Sequence, residues 1–121
     1  MNNGLFSAIT KTISVLAESG PDHEKIGTLR ADTAHHLRMY YSKLQMSKAY
    51  ELLAKHGEPE EADSHTTKAG LAMRQASDHH SQAAAYHKEL CAQGGNVHSI
   101  HQGEDFTSFK REAREHVGYK E

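Results

Sequence analysis

Histidine and cysteine side chains recur late in the chain, in the pattern His87-x3-Cys91-x6-His98-x2-His101. His87 and Cys91 are one helical turn apart, so both side chains could contact the same ion. His98 and His101 follow in a polar stretch that could fold back and complete a tetrahedron. Because zinc binds imidazole nitrogen and thiolate sulfur in that geometry, these four residues form a candidate zinc site. The alternative is solvated loop histidines and a buried free thiol at Cys91.

Three carboxylate–histidine pairs are spaced by four residues: Asp32–His36, Glu61–His65 and Glu112–His116. On a helix such pairs add modest stability and raise the pKa of the histidine. The same pairing could orient a histidine as a general base. No nucleophile accompanies any of the pairs at a recognisable spacing, so we predict no catalytic residue and a solvated helical face.

Two histidine doublets, His35-His36 and His79-His80, are placed to meet if the chain folds back between them. Adjacent helical residues diverge by about 100°, so one member of each doublet points inward. We assign His36 and His80 to the interface between the helices. Charging a histidine cluster there would bury like charges together and make assembly depend on pH.

The composition narrows the functional classes. The chain has 14 Lys and Arg against 16 Asp and Glu, so it lacks the basic excess of a protein that binds nucleic acid by covering phosphates. No stretch approaches the roughly 20 apolar residues of a membrane span, and the first residues do not resemble a signal peptide. A single cysteine agrees with a reducing compartment. We expect a cytoplasmic protein without a membrane or nucleic-acid partner.

Hydrophobic spacing predicts an all-α fold in one domain, residues 1–121. Its centre is a long antiparallel hairpin of helices at about 22–56 and 59–93, reversed at Gly57-Glu58-Pro59. Glycine suits the position after a helix and proline the first turn of the next. Shorter helices are expected at 5–18 and at 104–117, the latter with Asp105 as its N-cap.

The second long helix carries a heptad seam typical of a coiled coil: Ala62, Thr66, Ala69, Met73, Ala76, His80, Ala83, His87 and Leu90. A reversal at Gly57 places these mostly small residues opposite large ones on the first long helix, with Ala69 against Leu44. The agreement of two independently determined patterns supports the hairpin.

The predicted core is thin, because Leu, Ile, Val and Phe make up only 19 of 121 residues. We therefore expect oligomerisation, most simply a homodimer, to complete the bundle. Several large side chains exceed what one seam can bury, and such residues are enriched where proteins meet proteins. The candidate partner-binding residues are Met39, Tyr40, Tyr41, Met46, Phe106 and Phe109. The alternative is that they pack against the short helices of the same chain.

These features favour a small non-enzymatic interaction protein that binds another protein as an inhibitor or adaptor. Small helical proteins of this kind include some carried by phages and other mobile elements, which is an analogy only. A zinc-binding protein that uses the His87–His101 cluster is the alternative. A histidine-dependent enzyme is the third class, and it predicts a pocket that joins Asp32 and His36 to the region of His80.

Overall fold

A computed structural model describes residues 23–94 and 105–120, and all regular structure within these ranges is helical. Helix α1 spans His23–His56, a 3-10 turn spans Pro59–Glu61, α2 spans Ala62–Gly94 and α3 spans Phe106–Val117. The all-helical prediction is confirmed, and the three helix positions agree with the expected ranges within a few residues. The helix expected at 5–18 lies outside the described residues. Completion of the bundle by oligomerisation stays a prediction.

The reversal between α1 and α2 depends on a close backbone approach at Gly57. Its N–H donates to the carbonyl oxygen of Leu53 at 2.8 Å, and a Cβ at this position would lie 2.5 Å from that oxygen. Gly57 does not have a positive φ, so its role is this close approach and not a left-handed cap. Glu58 is extended, as expected of a residue before proline, and its carbonyl accepts from the N–H of Glu61 at 3.0 Å.

The extended turn changes the register that the sequence predicted. The hydroxyl of Ser47 donates to the carbonyl of Ala69 at 3.0 Å, so Ala69 lies opposite Ser47 and not opposite Leu44. The two long helices are antiparallel along their length, and an ion pair between Lys25 and Glu89 (3.2 Å) joins their far ends.

Helix α3 begins and ends with local capping interactions. The side chain of Asp105 accepts from the N–H of Ser108 at 2.8 Å, as an N-cap should. At the other end Gly118 adopts a left-handed conformation with φ of 67°, and the N–H of Tyr119 donates to the carbonyl of Arg114 at 2.9 Å. These signals confine α3 to twelve residues.

Helix α3 packs along α1 and runs in the same direction. Arg114 donates to the hydroxyl of Tyr41 at 2.9 Å, and Gln45 donates to the carbonyl of Val117 at 3.4 Å. The ring of Tyr119 lies against that of Tyr41. Helix α3 therefore ends level with Gln45, and the remaining length of α1 continues without it to the turn.

The molecule consequently has two halves. We call residues 23–45 of α1, 76–94 of α2 and helix α3 the capped half, and residues 46–75 the open half. The main buried cluster lies entirely in the capped half and consists of Ile26, Leu29, Leu37, Tyr41, Ala83, Leu90, Phe109 and Ala113. In the open half the buried side chains are small: Ser47, Ala69 and Ala72. The long helices therefore approach closely there but bury little apolar surface.

Candidate functional site

An open groove of about 530 Å³ lies between the long helices in the open half. Its lining is Ser47, Glu51, Ala54 and Lys55 from α1, with Thr66, Ala69, Gly70 and Met73 from α2. Met73 is 46% exposed, and the nearby Leu52 is 59% exposed. Small residues form much of the lining, and Met73 is the one large apolar side chain in it. Leu52 does not line the groove but follows Glu51, which does.

The open groove continues the surface that α3 covers. Leu52 lies seven residues after Gln45, which contacts α3, and thus on the same side of α1. Met73 lies seven residues before His80, whose ring contacts Phe106 of α3. Residues seven apart on a helix share a face. Within residues 23–94 and 105–120, one face of the hairpin is therefore covered by α3 up to Gln45, and no other described segment covers it beyond that point.

A second groove of about 380 Å³ joins the first at Met73 and extends toward α3. It is lined by Tyr40, Leu44, Met73, Ser77, His80 and Ser81. Neither Asp32 nor His36 is among these lining residues. The groove that holds His80 is therefore not the pocket that an enzyme using the Asp32–His36 pair would require.

The histidine doublets meet between α1 and α2, but not through the expected pair. The Nδ1 atoms of His36 and His79 are 2.9 Å apart, within hydrogen-bond distance. The ring of Tyr86 stacks on His36 with centroids 5.5 Å apart, and His35 packs edge-on against His36. His36 thus pairs with His79, while the other predicted interface histidine, His80, meets α1 at Tyr40.

His80 instead lies on the side of the seam that α3 covers. Its ring contacts Tyr40 and Phe106, with centroids 4.9 and 5.5 Å apart. Burial lowers the pKa of His80, and the nearby Lys110 lowers it further. Both members of the second doublet are thus partly buried, since a third helix covers the face that a two-helix hairpin would leave in water.

Burial also dominates the pKa values of the pair that meets between the helices. It lowers the pKa of His36, and His35 lowers it further, while Asp32 opposes both. The pKa of His79 is lowered by burial, then by His36, His35 and Lys43, and Asp78 opposes these effects. The expectation that Asp32 raises the pKa of His36 is therefore wrong in its net sign, because desolvation exceeds the attraction of one carboxylate.

Another predicted carboxylate–histidine pair does form in the open half. Glu61 and His65 are 3.5 Å apart, and the ring of Tyr50 stacks on that of His65. The Nδ1 atom of His65 is buried without a hydrogen-bond partner. The stack of His65 on Tyr50 places the first turn of α2 against α1.

The four residues of the predicted zinc site fall partly outside the described ranges. His87 and Cys91 do contact each other, with the sulfur 3.8 Å from each ring nitrogen. His98 and His101 lie outside the described residues. Within 23–94 and 105–120, no group of three or more His, Cys, Asp or Glu side chains converges on one point as a metal ligand set.

The predicted partner-binding residues separate into two groups. Tyr41 and Phe109 are buried in the capped half, and Tyr40, Phe106 and Met39 are partly buried. Met46 is 42% exposed. Most of this set packs within the chain, as the alternative interpretation allowed, because α3 docks on α1.

The exposed apolar residues that sequence reasoning missed are Leu52, Leu53, Leu71 and Met73. Met73 had been assigned to the heptad seam. The length of the last helix could have predicted their exposure, since twelve residues span about 18 Å and the long helices span about 50 Å. A helix that short can cover only part of the hairpin.

No family model matches the chain, and no curated protein or solved structure is similar enough to count as a match. Within the part of the chain that the structure describes, no helix combines the length and apolar character needed to cross a membrane.

Proposed function

We propose that this protein is a non-enzymatic helical interaction protein that pairs with a second copy of itself through the open groove. The observation that carries the proposal is that the face covered by α3 continues past Gln45 with Leu52 and Met73 exposed. Covering large apolar side chains removes them from water, at about 25 cal/mol per Å². The open half lacks the cover that α3 gives the capped half.

The charges beside the groove favour a second copy as the occupant. Exposed residues of both signs alternate along α1, as Lys48, Glu51 and Lys55. Two copies related by a two-fold axis level with Leu53 would run antiparallel there, with Glu51 of each opposite Lys55 of the other. In the same register Lys48 would lie opposite Glu58. A second copy of the chain therefore carries the charges that complement those beside the groove.

The position of α3 also favours the antiparallel arrangement. With α1 of one copy antiparallel to α1 of the other, only the open halves overlap, and each α3 stays on its own capped half. A pairing with both turns at the same end would bring the two α3 helices together on one face. The antiparallel arrangement keeps the contacts between α3 and α1.

Self-association through the open groove leaves a row of apolar residues on α1 that could contact a different protein. Met39, Met46 and Leu53 are spaced by seven on the side of α1 away from the groove. Met46 and Leu53 are exposed. An inhibitor or adaptor role would use this row, and it retains Met39 and Met46 from the residues that the sequence indicated.

Charge reversal tests the pairing between copies. Glu51→Lys alone and Lys55→Glu alone should each weaken self-association, because each places like charges opposite each other twice in the interface. An equimolar mixture of the two variants should form a heterodimer, since both positions are then lysine in one copy and glutamate in the other. Sedimentation velocity with one fluorescently labelled variant measures this.

The mixture separates contacts between copies from those within one helix. Glu51 and Lys55 are four residues apart on α1, so a pair within the helix would also be lost in each single variant. Mixing cannot restore a pair within one chain. Failure of the mixture to associate more tightly than either variant alone would contradict the proposed register.

A further inference from the structure

The imidazole rings of His36 and His79 come from different helices, and their Nδ1 atoms are 2.9 Å apart. A hydrogen bond at this distance needs a proton on one Nδ1 and a lone pair on the other. Both rings are partly buried and direct a nitrogen at the same point between α1 and α2. Two strong metal-ligating side chains from separate long helices therefore meet here.

We propose that His36 and His79 bind a divalent transition-metal ion, Zn²⁺ or Cu²⁺, through their Nδ1 atoms, with water completing the coordination. Zinc–nitrogen bonds are about 2.0–2.1 Å long, so two ligands of a tetrahedral ion lie about 3.4 Å apart. The two Nδ1 atoms need to separate by only about half an ångström. When the ion binds, the ring that carries its proton on Nδ1 changes tautomer: that proton is lost to water and Nε2 takes one up, so both rings stay neutral and both Nδ1 lone pairs face the ion.

The charges around the pair are mixed and affect how tightly an ion binds. Asp32 and Asp78 act on His36 and His79 as negative charges, which favours a cation. Lys43 acts on His79 as a positive charge and opposes one. Removing this positive charge with Lys43→Gln should therefore tighten metal binding without removing a ligand.

Aromatic packing holds one of the two rings in place. Tyr86 stacks on His36 with an angle of 14° between the ring planes, and His35 packs against its edge. A ligand that is already oriented loses less conformational freedom when an ion binds. The site lies in the capped half, away from the open groove, so it does not depend on the proposed self-association.

Thermal unfolding of untagged protein in ZnCl₂ and in EDTA tests the site. Zinc should raise the Tm of the wild type, because an ion that binds only the folded hairpin stabilises it. His36→Gln and His79→Gln should each abolish this rise. Each variant is compared with itself in EDTA, so a change in its own stability does not affect the result.

His87→Gln is the matched control, since His87 is a partly buried histidine of α2 beside Cys91. It should keep the zinc-induced rise in Tm. Loss of the rise in His87→Gln together with its retention in His36→Gln would overturn the proposal and favour the cluster of His87 and Cys91. Absence of any rise in the wild type would also overturn it.

A spectroscopic measurement on the wild type does not depend on the folding of variants. Long-range ¹H–¹⁵N correlation spectra report which ring nitrogen of a histidine carries a proton or a metal. Zinc should shift the Nδ1 resonances of His36 and His79 together, at one equivalent. Shifts confined to other histidines, or to Nε2 atoms, would contradict coordination by this pair.

Discussion

The capped and open halves are built from the same two long helices, but they bury apolar side chains to different extents. In the capped half α3 covers one face of the hairpin, and large side chains such as Leu37, Tyr41 and Phe109 are buried. In the open half the seam is made of small residues, and Leu52 and Met73 remain exposed. The comparison indicates that, among the described residues, the large buried side chains of the hairpin lie in the half that α3 covers.

Truncation of one leucine in each half should give the largest contrast. Leu37 is fully buried, so Leu37→Ala should lower the free energy of unfolding by about 2–5 kcal/mol. Leu52→Ala should cost less than about 0.5 kcal/mol in dilute protein. Urea unfolding followed by circular dichroism measures both. Equal losses would show that the two halves are packed alike.

The two leucine substitutions should also differ in how their effects on stability depend on protein concentration. If a second copy covers Leu52, the cost of Leu52→Ala should increase with protein concentration, since the dimer is then the folded species. The cost of Leu37→Ala should not change. A concentration-independent cost for Leu52→Ala would leave the open half without a role in association.

Replacing Gly57 in the turn and Gly27 in α1 by alanine should change the stability of the protein in opposite directions. Gly57→Ala should destabilise the protein by about 1–3 kcal/mol, because its Cβ would lie 2.5 Å from the carbonyl oxygen of Leu53. Gly27 has open space around the position of a Cβ, so Gly27→Ala should stabilise α1 by about 0.5–1 kcal/mol. Thermal unfolding measures both, and a neutral Gly57→Ala would mean that the turn is not constrained there.

Acid should weaken the capped half through its histidines, as the smallest of these effects. His36, His79 and His80 have lowered pKa values in the folded chain, mainly through burial. Below about pH 6.5, the ordinary value for histidine, the unfolded chain therefore binds more protons than the folded one. This contribution to stability is present in full above that pH and is lost as the pH falls.

Urea unfolding in EDTA at several pH values measures this dependence. His79→Gln should reduce the loss of stability between pH 7.5 and pH 5.5. His56→Gln, a substitution of an exposed histidine at the end of α1, should leave the loss unchanged. A stability that does not change over this range, or that rises as the pH falls, would mean that these histidines are not held in the neutral form.

The positions of the helices could be predicted from local signals, because those signals act within a few residues. Gly57 and Pro59 mark the reversal, and Asp105 and Gly118 mark the ends of α3. Between these end signals, the spacing of hydrophobic residues predicts helices. These elements need no knowledge of what packs against them.

The docking of α3 could not be predicted in the same manner. Periodicity identifies an apolar face on a helix but not the surface that the face covers. Tyr41 and Phe109 were therefore interpreted as partner-binding residues, although they pack on each other's helices inside the chain. The contact between His36 and His79 was not predicted either, because periodicity assigns a histidine to a face but does not identify the side chain that it meets.

Two substitutions on α1 test most directly whether the open half is an interface between two copies. Leu52 and Leu53 are 59% and 45% exposed and adjacent, but Leu52 lies on the face that α3 covers further along α1, and Leu53 lies on the side away from the groove. We predict that light scattering after size exclusion gives a dimer for the wild type and for Leu53→Glu, and a folded monomer for Leu52→Glu. A wild type that is monomeric at every concentration, or equal effects of the two substitutions, would contradict the claim.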